Sequence, residues 1–148
     1  MLTNVLLGTN NLARAEAFYD SLLSLLGAKQ VMKNERCILW KPADDGVGIA
    51  LCMPHNGAPA TNGNGAMVGL RASSFEELVN IYETALRLGA TCDGAPGERR
   101  PGVKAAYFRD PDLNKFGVFF VENAPNNSFK ANPLHSFKTP SGFSGGSA

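Results

Sequence analysis

Histidine, cysteine and charge are all scarce in this sequence, and each scarcity closes a class of function. His55 and His135 are the only imidazoles in 148 residues. One falls in a turn-rich stretch and the other in a Ser-, Asn- and Pro-rich tail, so neither has neighbours that would complete a metal site or a catalytic pair. Cys52-Met-Pro-His55 has ligand spacing but no further ligands, and it reads as a thiol beside a solvent-exposed imidazole. The three cysteines, Cys37, Cys52 and Cys92, are odd in number and widely spaced. That pattern argues against a disulfide framework and for buried thiols in a reducing compartment, so the cytoplasm is the expected location.

Charged residues make up 18% of the chain, and 14 Lys+Arg against 13 Asp+Glu leave a net charge of +1. Neither nucleic acid nor an anionic membrane surface is drawn to such a balance, and neither is expected as a partner. No apolar run approaches the roughly 18 residues of a membrane span. The opening MLTNVLLGTNNLARAE has neither a basic region nor a long apolar one, so it is not expected to be a signal peptide. What remains is an ordinary globular composition, 44% hydrophobic, in a chain long enough to bury a core of its own.

The chain contains something like itself twice. Leu7-GTNNLARAEAFYDSLLSLLGAK and Leu70-RASSFEELVNIYETALRLGAT each have a short apolar strand, polar capping residues, an amphipathic helix with a central tyrosine, and a closing Leu-Gly-Ala. Leu12, Ala15, Tyr19, Leu22 and Leu26 repeat at spacings of three and four, as do Phe75, Leu78, Tyr82 and Leu86. Ser73 with Glu76, or Ser74 with Glu77, makes a capping box, and Gly27 and Gly89 stand where left-handed C-terminal caps are wanted. Short strands follow each helix, near 29–33, 36–41 and 47–53 and again near 91–93, 104–109 and 115–122. The fold class is therefore α+β, two tandem βαβββ modules at 1–53 and 65–122, joined by a turn-rich linker at 54–64. The tail at 123–148 carries Phe129, Leu134, Phe137 and Phe143 as spaced anchors for docking on its own domain or on another subunit.

Three segments carry a resemblance: LGTNNLARAEAFYDSLLSLLGA, NGAPATNGNGAMVGLRA and, most specifically, AAYFRDPDLNKFGVFF. On these the chain resembles the vicinal oxygen chelate superfamily, which includes glyoxalase I, bleomycin-resistance proteins and extradiol dioxygenases. The resemblance covers residues 1 to about 122. It implies curled mixed sheets forming an open cup with helices outside, and a homodimer. The family's metal ligands come from the first strand of each module and from the strand after the D-P-D turn. By register those positions are Asn4, Met67 and Gly117, with a fourth near Ala50 or Cys52. An amide, a thioether and a bare backbone are poor ligands for a divalent ion. No cofactor or metal is therefore expected, and Gly117 leaves room on the cup floor.

Strand alternation then assigns the cup lining. Asn4, Leu6, Gly8, Met67, Gly69, Arg71, Gly117, Phe119 and Val121 face inward, joined by Trp40, Cys52, Tyr107 and Arg109. Val5, Leu7, Val68, Leu70, Phe116, Val118 and Phe120 face the core. The lining is apolar and aromatic with a few polar groups, the usual makeup of a small-molecule site. The ligand-binding candidates are Asn4, Leu6, Trp40, Cys52, Met67, Arg71, Tyr107, Arg109, Gly117 and Phe119. Met67 and Phe119 could instead fill the cup, leaving an interaction scaffold. A third reading is a glyoxalase-like lyase, isomerase or epimerase whose base enters from a loop or from His135. Asp110 and Asp112 flank Pro111 and read as turn residues. Leu113 stands where the family usually has glycine, which assigns the positive φ to Asn114. Glu98-Arg99-Arg100 reads as a loop before the strand at 104, either solvated or attracting an anionic substrate to the cup's mouth.

Overall fold

The computed structural model describes residues 2–122, so the tail anchors and His135 lie outside the described residues. The elements in order are β1 (Asn4–Gly8), α1 (Leu12–Ser24), β2 (Ala28–Lys33), β3 (Cys37–Pro42), β4 (Gly48–Cys52), β5 (Val68–Arg71), α2 (Phe75–Arg87), β6 (Thr91–Arg100), β7 (Val103–Arg109) and β8 (Lys115–Val121). They form two four-stranded sheets ordered β1-β4-β3-β2 and β5-β8-β7-β6. In each, the first strand pairs parallel to the last and the others are antiparallel, the same βαβββ topology twice.

Both helices begin at caps encoded in the sequence. The Asn11 side chain accepts a hydrogen bond from Arg14 N, and Ser74 accepts one from Glu77 N while the Glu77 carboxylate reaches back to Ser73. One orphan donor of each first turn thereby finds a side-chain partner. Gly27 (φ 70°) and Gly89 (φ 102°) stop the helices in the left-handed region, as the repeat predicts. The apolar faces, Ala15, Phe18, Tyr19, Leu22 and Leu23 on α1 and Leu78, Ile81, Tyr82 and Ala85 on α2, pack on the inner faces of the sheets. Full burial of each large side chain among them contributes roughly 1.5–3 kcal/mol. Phe75, expected in that set, is instead half-exposed beneath the Lys104 ammonium.

The D-P-D turn joins the two modules. Asp112 accepts hydrogen bonds from Thr9 Oγ1 (2.7 Å), Asn10 N (3.1 Å) and Arg14 Nη2 (2.7 Å), all in the first module. Asp110, buried, accepts from the Tyr19 hydroxyl at 2.6 Å and from both nitrogens of Asn114. Asn114 Nδ2 also donates to Gly8 O. These carboxylates are structural, and every buried side-chain N or O among the described residues has a partner. Burial raises the Asp110 carboxyl above its ordinary value of 3.8, against the opposing pull of its donors. The linker docks as well, through a reciprocal pair of hydrogen bonds between the Asn10 side chain and the Ala60 backbone.

Five expectations need correction. Cys37 and Cys52 are directly opposite on β3 and β4, with Cα atoms 4.2 Å apart, and they form a disulfide. Lying opposite one another in the register brings two cysteines within bonding reach however isolated they look in the sequence. The pairing removes the argument from free thiols for a reducing compartment, and the remaining thiol, Cys92, is exposed rather than buried. Trp40 faces the core: its ring lies 5.7 Å from Tyr19, and Nε1 donates to Asp20 Oδ1 at 2.6 Å. That bond to α1 fixes Ile38 and Trp40 on the helix side, one residue out of phase with the expected lining. Leu113, not Asn114, has the positive φ (68°), because Asn114 is held by its bonds to Asp110 and Gly8. Residues 98–100 belong to strand β6, not to a loop. No helix among the described residues is long and apolar enough to cross a membrane.

Candidate functional site: the concave face of the second sheet

The face of the second sheet turned away from the helices carries a cavity of about 600 Å³. All four strands contribute: Gly69 and Arg71 from β5, Phe119 and Val121 from β8, Val103 and Tyr107 from β7, and Arg99 and Arg100 from β6. The floor comes from the two central strands. There Tyr107 and Phe119 meet edge to face at 5.9 Å, a geometry aromatic pairs prefer. Gly69 extends the floor because it has no side chain, and a Cβ there would come within 3.5 Å of the Phe119 ring.

Tyr107 is fixed from two sides. The Arg99 guanidinium lies 5.4 Å from its ring centroid, and so does the Lys115 ammonium. Both are within the range of cation–π attraction. Arg99 also donates to Ala95 O at 2.6 Å across the irregular β6. Gly94 (φ 152°) must be glycine here, because a Cβ would sit 2.9 Å from the Tyr107 ring. Behind the tyrosine, Asp93 pairs with Lys115 (2.9 Å) and Arg109 (3.4 Å). The hydrogen bond from Lys115, helped by the charge of Arg109, holds the Asp93 carboxyl below its ordinary value of 3.8.

The ten candidate residues therefore divide. Arg71, Tyr107 and Phe119 line this cavity together. Leu6 and Met67 line a smaller hollow of about 320 Å³ between β1, the linker and β5. Arg109 is occupied by Asp93 and by Leu113 O, Asn4 accepts a hydrogen bond from Thr3 at the outer end of β1, Cys52 is in the disulfide, and Trp40 is in the core. Sequence reasoning missed Val103 and left Arg99 and Arg100 in a loop. The segment TCDGAPGERR has no apolar alternation to mark a strand. The signal that could have found it is the repeat, which places β2 at the equivalent point of the first module.

Gly117 does not leave an empty floor. A Cβ built on it would lie 2.7 and 2.8 Å from Phe119 ring carbons and 3.2 Å from Met67 Sδ, so those side chains already occupy the place a Gly117 substituent would take. The position has no donor atom, and the space beside it is taken by the ends of those two side chains. Among the described residues no group of three or more His, Cys, Asp or Glu side chains could hold a metal ion. The donor set does not fit the family's metal.

The profile of the Glyoxalase/Bleomycin resistance protein/Dioxygenase superfamily matches residues 2–118. The chain belongs to this superfamily. Among solved structures, a glyoxalase/bleomycin resistance protein from Albidiferax ferrireducens T118 is 32% identical with a TM-score of 0.73, the match covering 80% of this chain and 97% of that one. A glyoxalase-related enzyme from Fulvimarina pelagi (18% identity, TM-score 0.67, 81% and 87% covered) has the same fold. So has a glyoxalase/bleomycin resistance protein/dioxygenase family enzyme from Burkholderia phytofirmans PsJN (19%, 0.67, 80% and 97%). Nothing matches among curated proteins. Within the glyoxalase superfamily, then, this member has kept the double βαβββ frame and carries Asn4, Met67 and Gly117 at the expected metal positions.

Proposed function

We propose that this glyoxalase-superfamily protein binds a small, partly apolar organic molecule on the concave face of its second sheet, without a metal, and does so as a homodimer. The observation that carries the reading is the cavity itself: about 600 Å³, built from all four strands, with an aromatic floor. A volume of this order suits a small ligand. The exposed Leu6 (61%) and Met67 (45%) on the adjoining faces support a second subunit closing the open side. A binding role is favoured over proton-transfer chemistry because the lining holds neither carboxylate nor imidazole; its ionisable side chains are Tyr107 and three arginines.

Native mass spectrometry of protein equilibrated with a metabolite extract tests this. The expected spectrum is a dimer carrying a small organic molecule and no stoichiometric divalent metal. Gly69→Phe, which fills the cavity from β5, should lose that molecule. A molecule retained equally by the filled variant, or one metal ion per subunit, would overturn the proposal.

A further inference from the structure

The cavity's charges are arranged as rims around an apolar floor. In the sheet order β5-β8-β7-β6 the outer strands supply Arg71 on one side and Arg99 and Arg100 on the other, while the inner strands supply Val103, Tyr107, Phe119 and Val121. Among the described residues none of these arginines has a carboxylate within ion-pair distance, although six other basic residues do. All 13 acidic residues of the chain fall between Glu16 and Glu122, so residues 123–148 hold no Asp or Glu side chain that could neutralise them. Glu98, the nearest in sequence, is turned to the hairpin end, where it accepts from Gly102 N.

Three guanidinium groups around one apolar hollow, in a protein of net charge +1, are a local excess of positive charge. Guanidinium presents a planar fork of N–H donors that matches carboxylate and phosphate oxygens. Arg99 is already oriented, stacked near Tyr107 and tied to Ala95 O, and one bond to a carbonyl leaves most of its five donors available.

We infer that the ligand is an organic anion: a carboxylate or phosphate monoester on an apolar body, its charged end paired with Arg71, Arg99 or Arg100 and its body lying on Tyr107, Phe119, Val103 and Val121. This rests on the proposed binding function and adds the ligand's chemical class. The anionic end selects the ligand and the aromatic floor holds the rest.

The test is calorimetric titration with hexanoate, phenylbutyrate and phenyl phosphate, each against its uncharged counterpart, hexanamide, phenylbutyramide and phenol. At least one anion should bind about tenfold or more tightly than its counterpart, the scale of one charge-assisted hydrogen bond. The preference between carboxylate and phosphate identifies the headgroup. Arg71→Gln, Arg99→Gln and Arg100→Gln together should remove most of that preference, read as the ratio of anion to neutral affinity in the same variant; all three residues are exposed, so the fold should tolerate the change, which circular dichroism checks. Anion affinity should also fall as salt is raised. Equal binding of anions and neutral counterparts, displaced by Gly69→Phe, overturns the anion inference and leaves the binding function standing. No binding of any of the six compounds by a folded protein overturns both.

Discussion

Replacing Asp112 should unfasten the two modules. Its side chain is 4% exposed and accepts three hydrogen bonds from the first module. The bond from Thr9 matters most, because Thr9 is fully buried and its hydroxyl would be left with an unpaired proton. A buried unsatisfied group costs about 1–3 kcal/mol. The Asn10 amide is at the surface, and its net loss is about 0.5–1.5 kcal/mol. Arg14 is 46% exposed and regains water, so its ion pair is worth at most about 1 kcal/mol. Asp112→Ala should therefore destabilise by about 2–4 kcal/mol, or about 8–16 °C in Tm at roughly 4 °C per kcal/mol for a chain of this size. Asp112→Asn keeps an acceptor for Asn10 and Arg14 and should cost about half as much. Urea unfolding of Thr9→Val, Asp112→Ala and the double variant should give a coupling of about 1–2 kcal/mol. Additive single effects, or an Asp112→Ala protein within about 0.5 kcal/mol of the parent, would refute the reasoning.

Three further outcomes follow from the same geometry. Gly117→Ala should push the tip of the Phe119 ring aside at a cost of about 0.5–1.5 kcal/mol, and Phe119→Ala should relieve most of that cost, which a double-mutant cycle of denaturation midpoints measures. Denatured, unreduced protein should titrate one thiol, Cys92; three would contradict the Cys37–Cys52 pairing. Because burial raises the Asp110 carboxyl, the folded state keeps this proton at a pH where the unfolded chain has lost it. Stability relative to Asp110→Asn should therefore decline as pH rises from the ordinary value of 3.8 through the raised one and stay level above it; a rising difference in urea unfolding over that window would be the wrong sign.

The sequence made the frame legible because helices announce themselves locally. Spacings of three and four, Ser and Asn caps, and Gly27 and Gly89 needed no tertiary information, and their repetition gave the double βαβββ order. Faces of the strands were legible where apolar and polar residues alternate: Phe116, Val118 and Phe120 did turn to the core, with Gly117 and Phe119 opposite. Trp40 was misplaced because what fixes its side is a hydrogen bond to Asp20, twenty residues away on a helix. The disulfide is a matter of register, which spacing along the chain does not reveal. Arg99 and Arg100 lay hidden in a strand interrupted by Gly94, Pro96 and Gly97, whose irregular pairing with β7 only the sheet context sustains. What Gly117 does was equally invisible. A missing side chain reads as space, yet Phe119, two residues along the same face, folds its ring into it.

Where a ligand sits decides between a binding cavity on the second sheet and a site at the metal positions. Backbone amide NMR of the protein, titrated with the anionic compounds and their neutral counterparts together, measures that directly. The predicted result is a set of shifts centred on Gly69, Arg71, Val103, Tyr107 and Phe119, unchanged when divalent metal is removed by chelation. Shifts confined to the hollow between the modules around Leu6 and Met67, or a site at Gly117 that depends on added metal, would contradict it.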